Sequence, residues 1–355
     1  MKHPTHGGNL RWAAARAGCS PDQILDFSAS ISPLGPPDCL GPLLSNAQPW
    51  LIRYPDPDYR DLREAIATHH AVTPEQVLPG NGAAELLTWA VRDCQELRQV
   101  WRLSPGFADY DRALDACGIH PRDLPLDLPQ PETLDLSPAL EDQPESSALL
   151  LNNPHNPSGA CWSLVDRLPE LARFAQVIVD EAFMDFLPPA QQPSLIPALA
   201  QLPNLVVLRS LTKFYSLPGL RLGYALGQPE QLQRWQQWRD PWSINGLAAA
   251  AAPLLLGDRD FQQRTWDWLP PARESLRQQL NAIPGLQALP GTTNFLLVAS
   301  EHSVVALQTD LLEQFRILIR DCRSFAGLGD RWFRIAVRLP EENRRLVEAL
   351  TEVCR

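Results

Sequence analysis

The chain has 355 residues, 45% of them hydrophobic, a formal net charge of −10 and a pI near 5.2. This length supports a large core and about two domains, and the acidic balance argues against a nucleic-acid-binding surface. The most apolar window, 247–256, is too short to span a bilayer and is broken by Pro253. Seven cysteines are scattered, with no CxxC pair, so neither a disulfide framework nor a zinc or other metal site is expected. No apolar stretch opens the chain, so the expectation is a soluble cytoplasmic protein without a signal peptide or membrane partner.

In chain order, a polar, glycine-rich start (His6-Gly7-Gly8-Asn9) leads into a short helical pattern over 12–17. The arm Asp26-Phe27-Ser28-Ala29-Ser30-Ile31-Ser32-Pro33 carries one large aromatic among small hydroxyl side chains, which suits a segment lying across another surface. Asp58 is placed to cap a helix whose apolar face is Leu62, Ala65, Ile66 and His69. A short run at 77–79 then enters Gly80-Asn81-Gly82-Ala83-Ala84. Small residues opening a helix let backbone N–H groups approach an anion at its positive end. The spacing matches neither the dinucleotide nor the P-loop fingerprint.

Four further apolar runs follow, at 100–103, 148–151, 177–179 and 205–208, separated by helical segments. Such runs predict a buried, mostly parallel sheet, and ligands bind such sheets outside the carboxyl ends of the strands. Each run ends in a polar loop with chemical content. The first leads to Phe107 and Tyr110, either of which can stack on a flat ligand. The second leads to Asn152-Asn153-Pro154-His155-Asn156-Pro157-Ser158-Gly159, where Asn156 is a hydrogen-bond donor. The third ends on Asp180, a carboxylate that is costly to bury unless paired. The fourth leads to Ser210-Leu211-Thr212-Lys213, with Arg221 beyond.

Lys213 stands out by count. Of 31 basic residues only Lys2 and Lys213 are lysines. A lysine amine can lose its proton and attack a carbonyl, whereas guanidinium stays charged. Ser210, Thr212 and Arg221 beside it form a cup for a phosphate. A carbonyl-seeking amine, a phosphate cup and a carboxylate fit pyridoxal 5'-phosphate (PLP), with Asp180 at the pyridine nitrogen.

Beyond Gly227 come a Gln-, Arg- and Trp-rich helix over 229–240, whose Trp stripe reads as packing, and an alanine-rich helix over 248–252. A smaller unit follows: a helix at 271–280, a strand at 294–298, a helix at 304–315, strands at 317–319 and 332–337, and a closing helix at 341–353. Arg320 ends one of these strands and Arg334 lies within another, positions that suit anion binding. The expected division is an arm (1–35), a large domain (36–230), connecting helices (231–263) and a small domain (264–355). The fold class is α/β, a mostly parallel sheet plus a smaller α+β domain.

Lys213 with Ser210, Thr212 and Arg221, the loop 152–159, and Asp180 together resemble the fold-type I, class I/II aminotransferase family of PLP enzymes along essentially the whole chain. The resemblance implies that Lys213 and Asp180 are catalytic. It implies that Ala83, Ala84, Asn156, Ser210, Thr212 and Arg221 bind the cofactor with Phe107 stacked on its ring. His6, Gly7, Ser30, Asn156, Arg320 and Arg334 would bind a small phosphorylated amino-acid substrate. Tyr54 would reach the cofactor phosphate of a second subunit, so a homodimer is implied. Within the family, the opening His6-Gly7-Gly8-Asn9, the arm, Asp180-Glu181-Ala182-Phe183 and Ser210–Tyr215 are most similar to a branch that decarboxylates its amino acid. The histidinol-phosphate aminotransferases are near relatives, with tyrosine typical where this chain has Phe183. The decarboxylating branch commonly has asparagine where this chain has Ser30 and Ser32, which leaves the exact substrate open.

Overall fold

The computed structural model describes residues 4–128 and 133–355; Lys2 lies outside them. The main sheet has seven strands: β1 (Val77–Gly80), β2 (Gln99–Ser104), β3 (Arg122–Pro125), β4 (Ser147–Asn152), β5 (Gln176–Asp180), β6 (Leu205–Ser210) and β7 (Gly223–Leu226). Their order is β1-β7-β6-β5-β4-β2-β3, and only β7 runs antiparallel to the rest. All four apolar runs read from the sequence are therefore strands of one sheet, and their carboxyl ends share one edge.

Every residue of β4 and β6 is buried, because helices cover both faces. Alternate side chains separate the two sides. Ala148, Leu150, Ile178, Val206 and Leu208 pack under the helices α3 (Ala83–Arg92), α4 (Asp109–Ala116) and α5 (Pro229–Trp238), while Leu149, Leu151, Val177, Val179 and Val207 join the larger core. Truncating one of these leucines to alanine would cost roughly 2–5 kcal/mol. Trp235 of the Trp stripe is fully buried in the α5 packing, as expected of a core residue.

The smaller sheet is wholly antiparallel, in the order β10-β11-β9-β8, from β8 (Leu286–Ala288), β9 (Phe295–Ser300), β10 (Arg320–Asp321) and β11 (Trp332–Ala336). The expected strand at 317–319 is split. Ile317–Leu318 pairs in parallel with Leu25–Asp26 of the arm, and the chain changes partners at Ile319 so that Arg320 faces Arg334. The arm is stitched further by Phe27 N–H to the Leu318 carbonyl (2.8 Å) and Ala336 N–H to the Phe27 carbonyl (2.9 Å).

Three local expectations are corrected. Asp56, not Asp58, caps α2 (Arg60–His70): its Oδ2 accepts from the Arg60 amide at 3.0 Å, because Tyr59 sits in the left-handed region at φ 50° and turns the chain before the helix begins. The inner face of α2 is Leu62, Ile66 and Ala67, with Ala65 partly buried against the same core as expected, and His70 rather than His69 turns inward, its Nε2 2.7 Å from the Tyr224 hydroxyl. The helix expected from Pro271 is the second half of α7 (Arg259–Asn281), which continues through Pro270 and Pro271. Its apolar stripe of Phe261, Leu269, Leu276 and Leu280 buries along the whole length, and that burial outweighs two lost amide donors. This helix also crosses the 263/264 boundary without a break.

Candidate active site

The carboxyl edge of the main sheet opens into two adjoining chambers of about 230 and 260 Å³. His6, Phe107, Asp180, Ala182 and Lys213 line both. The first chamber continues to Ser28, Ser30, Asn156, Phe183, Arg320 and Arg334; the second continues to Ala83, Ala84, Ser210, Thr212 and Arg221. Fourteen of the fifteen site residues picked from the sequence meet here, Gly7 included; the exception is Tyr54.

The second chamber gathers backbone amides, two hydroxyl groups and a guanidinium, the donor set that suits a phosphate. Gly82, at φ 81°, opens α3 with no side-chain cap, so the first amides of the helix are left for a ligand. Space explains the glycines: a Cβ on Gly82 would lie 2.3 Å from Nη2 of Arg221, and one on Gly223 would lie 2.6 Å from the Ala83 nitrogen. Ser210 Oγ and Thr212 Oγ1 share a hydrogen bond of 2.8 Å, and Lys213 Nζ donates to Ser210 Oγ at 3.3 Å. Burial lowers the Lys213 pKa, Arg221 and Arg334 lower it further, and Asp180 opposes them. An amine so placed gives up its proton more readily than a surface lysine does.

Asp180 closes the other end. Its Oδ2 accepts from the Tyr110 hydroxyl at 2.8 Å and its Oδ1 from the Ala182 amide at 3.0 Å. Burial raises its pKa; the Lys213 charge, Tyr110 and Ala182 pull it back. The stacking choice is thereby divided: Phe107 lines both chambers, while Tyr110 holds Asp180 and meets Phe107 edge-on at 5.7 Å between centroids. Tyr110 was read from the sequence only as a stacking alternative, because nothing along the chain brings its hydroxyl near position 180. Beneath the site, Arg209 and Glu181 form a fully buried ion pair at 3.0 Å, tying the residue before Ser210 to the residue after Asp180.

The first chamber carries positive charge. Arg320 and Arg334 are directly opposite in the β10–β11 register, so they share a sheet face. Arg320 donates to the Thr5 carbonyl and the Ser324 hydroxyl; Arg334 donates to Asn156 Oδ1 and, at 3.5 Å, to the Ser28 carbonyl. These partners are neutral, and neither arginine pairs with a carboxylate among the described residues. Burial lowers the pKa of both, that of Arg334 to about 10. Ser30 Oγ and Arg334 Nε are buried without a hydrogen-bond partner among the described residues. Gly7 is packed so tightly that a Cβ would lie 2.2 Å from the Ser28 carbonyl oxygen, and Gly8 N–H donates to Ser28 Oγ at 2.8 Å. The arm docks on the Lys213 loop through Ser32 N–H to the Lys213 carbonyl (3.0 Å) and Ser216 Oγ to the Ser32 carbonyl (2.6 Å).

A phosphate cradle without a side-chain cap, a half-buried amine with a lowered pKa and a carboxylate held opposite it fit PLP. Ala83, Ala84, Ser210, Thr212 and Arg221 would hold its phosphate, Phe107 its ring face and Asp180 its ring nitrogen.

Fold and site together define a PLP-dependent enzyme, and the family model for class I and II aminotransferases matches residues 23–350. The chain belongs to that family. Among its relatives, threonine-phosphate decarboxylase of Salmonella typhimurium is 40% identical over 98% of this chain and 96% of that protein. Histidinol-phosphate aminotransferase of Methanothermobacter thermautotrophicus is 30% identical over 98% and 93%. The solved histidinol-phosphate aminotransferase of Sinorhizobium meliloti in complex with pyridoxal-5'-phosphate shares the fold, with a TM-score of 0.87 at 24% identity over 98% of this chain and 95% of that one.

Proposed function

We propose that this chain decarboxylates L-threonine O-3-phosphate to (R)-1-aminopropan-2-yl phosphate and CO2, supplying the aminopropanol arm in cobalamin biosynthesis. The observation that carries the reading is the Arg320–Arg334 pair. Two buried guanidinium groups on facing residues of one sheet need two anions close together. L-Threonine O-3-phosphate offers them on adjacent carbons, a carboxylate on Cα and a phosphate on Cβ. Histidinol phosphate offers the pair one anionic group, its phosphate.

PLP, when bound, takes up a primary amine and withdraws electrons from whichever bond stands perpendicular to its ring. The protein chooses that bond. Arg320, Arg334 and Asn156 fix the two anions and turn the carboxylate out of the ring plane. Asn156 commits Oδ1 to Arg334 and keeps its amide hydrogens for the cofactor's phenolic oxygen. Lys213, beside the ring, returns a proton to Cα once CO2 has left, and its lowered pKa suits that exchange. Phe183, 5.5 Å from Lys213 Nζ, adds an apolar wall where a tyrosine would add a donor.

The working form in this reading is a cytoplasmic homodimer. Tyr54 is 79% exposed and lies outside the chambers, beside exposed Trp50, Leu51, Ile52, Trp242 and Leu254. An apolar patch of this kind suits burial against a second copy, where Tyr54 can enter the partner's site. All seven cysteines are free thiols, and no helix of the described residues is long and apolar enough to cross a membrane.

The test is a paired assay on the PLP-loaded protein. L-Threonine O-3-phosphate alone should release CO2. Histidinol phosphate with 2-oxoglutarate should yield no glutamate. Glutamate without CO2 would establish the aminotransferase instead.

A further inference from the structure

His155 lies in the asparagine-rich loop, and nothing in the proposed reaction uses it. It is fully buried, with Nε2 2.9 Å from the Pro105 carbonyl oxygen and Nδ1 2.8 Å from Ser158 Oγ. The tautomer follows from the partners. A carbonyl only accepts, so Nε2 carries the proton and Nδ1 accepts from the Ser158 hydroxyl. Ser158 Oγ in turn accepts from the Ala160 amide at 3.2 Å. Every polar atom of this chain of bonds is satisfied.

The two ends of the chain matter. Pro105 lies two residues before Phe107, in a turn so close that a Cβ on Gly106 would fall 2.6 Å from the Leu103 carbonyl oxygen. Asn156 follows His155 directly; its amide donates to Asn152 Oδ1 at 2.6 Å, and its Oδ1 accepts from Arg334. Strands β2 and β4 are neighbours, but beyond their ends the backbone ladder stops. The imidazole is a bridge between the two loops past that point.

We infer that His155 is a positioning residue: its Nε2–H···O=C bond to Pro105 sets the distance between the loop that stacks Phe107 on the cofactor and the loop that presents Asn156 to the substrate. The inference rests on the proposed role of Phe107, and the experiment separates the two. Glutamine places an amide N–H where Nε2 stands and keeps the Pro105 bond. Asparagine places an amide oxygen where Nδ1 stands and keeps only the Ser158 bond.

The readouts are the circular dichroism of the cofactor's visible absorption band, the rate of cofactor loss and the KM for the phosphorylated amino acid, with Tm as a folding control. His155→Gln should keep the dichroic band and the slow cofactor loss. His155→Asn should weaken the band, release cofactor about tenfold faster and raise KM. Ser158→Ala leaves the Pro105 bond intact and should keep the dichroic band and the slow cofactor loss; loss of both in a folded Ser158→Ala would place the effect in the Ser158 turn and overturn the strut. Retention by His155→Asn with failure of His155→Gln or Ser158→Ala would mean that the ring serves only its own turn. Wild-type behaviour in both His155 variants would also overturn the strut. Phe107→Leu is the separate control: an unchanged dichroic band there would sink the stacking role and leave the strut to be judged on KM.

Discussion

The two chambers are built in different ways. The chamber proposed for the cofactor rests on the ends of parallel strands: Asp180 ends β5, Ser210 ends β6, and Lys213 follows three residues later. The backbone ladder fixes their spacing, and the Arg209–Glu181 pair locks the two strands just below the site. The chamber proposed for the substrate is assembled from distant pieces: the arm at 28–32, Asn156 from the loop after β4, and Arg320 and Arg334 from the small sheet. Backbone bonds dock the arm on Leu318, on Ala336 and on the Lys213 loop, and the two arginines have only neutral partners among the described residues. Spacing on the proposed cofactor side is thus set within one sheet, whereas on the proposed substrate side it depends on how the arm, the loop after β4 and the small sheet dock together.

Variants can break this contrast. Lys213→Ala should have the largest effect, abolishing turnover and the visible band that a lysine-bound cofactor gives; retention of both in the purified variant would refute its role. Arg320→Gln and Arg334→Gln should each raise KM by about 10- to 100-fold, the range for a lost charge-assisted bond, while cofactor retention stays as in the wild type. Cofactor loss on a par with substrate loss would show that the two chambers are not separable. Tyr110→Phe removes one donor from Asp180 and should do the reverse, weakening cofactor binding by about tenfold with KM little changed, as equilibrium dialysis and initial rates would show.

Acid should reveal the smallest difference, in stability. Burial lowers the His155 pKa from 6.5 to about 4, so the folded state disfavours the charged ring. The unfolded chain then binds more protons between these values. Stability from His155 is full above pH 6.5 and falls as pH drops toward 4, by about 3 kcal/mol in all. Burial lowers the His70 pKa too, so it adds to the slope in the same direction. In urea melts at pH 7 and pH 5, His155→Gln should lose less stability than the wild type. Equal losses would contradict a neutral buried ring.

The same contrast explains what the sequence disclosed. Lys213, Asp180 and Asn156 each follow a continuous apolar run, and short-range pattern was enough to find them. Arg320 and Arg334 were visible as charges in apolar strands, but their exact opposition depends on a register between residues that the pattern cannot supply. The strand split at Ile319 arises from the arm, about 290 residues earlier in the chain, competing for a partner (317 − 25 = 292). Tyr110 and His155 escaped assignment for a related reason: their partners, Asp180 and the Pro105 carbonyl, are 70 and 50 residues away. Asp56 was passed over for Asp58 because the left-handed Tyr59 does not show in a helical pattern.

The pairing of Phe27 with Leu318 also has a consequence for synthesis. Phe27 leaves the ribosome early, but the carbonyl it donates to is made 291 residues later (318 − 27 = 291). At roughly 5–20 residues per second, the arm waits roughly 15–60 s for its partner. The sheet that holds Lys213 and Asp180 is complete by residue 226, long before. During translation the cofactor half can therefore form well ahead of the roof that will cover it, and the full chamber closes only as the last strands emerge.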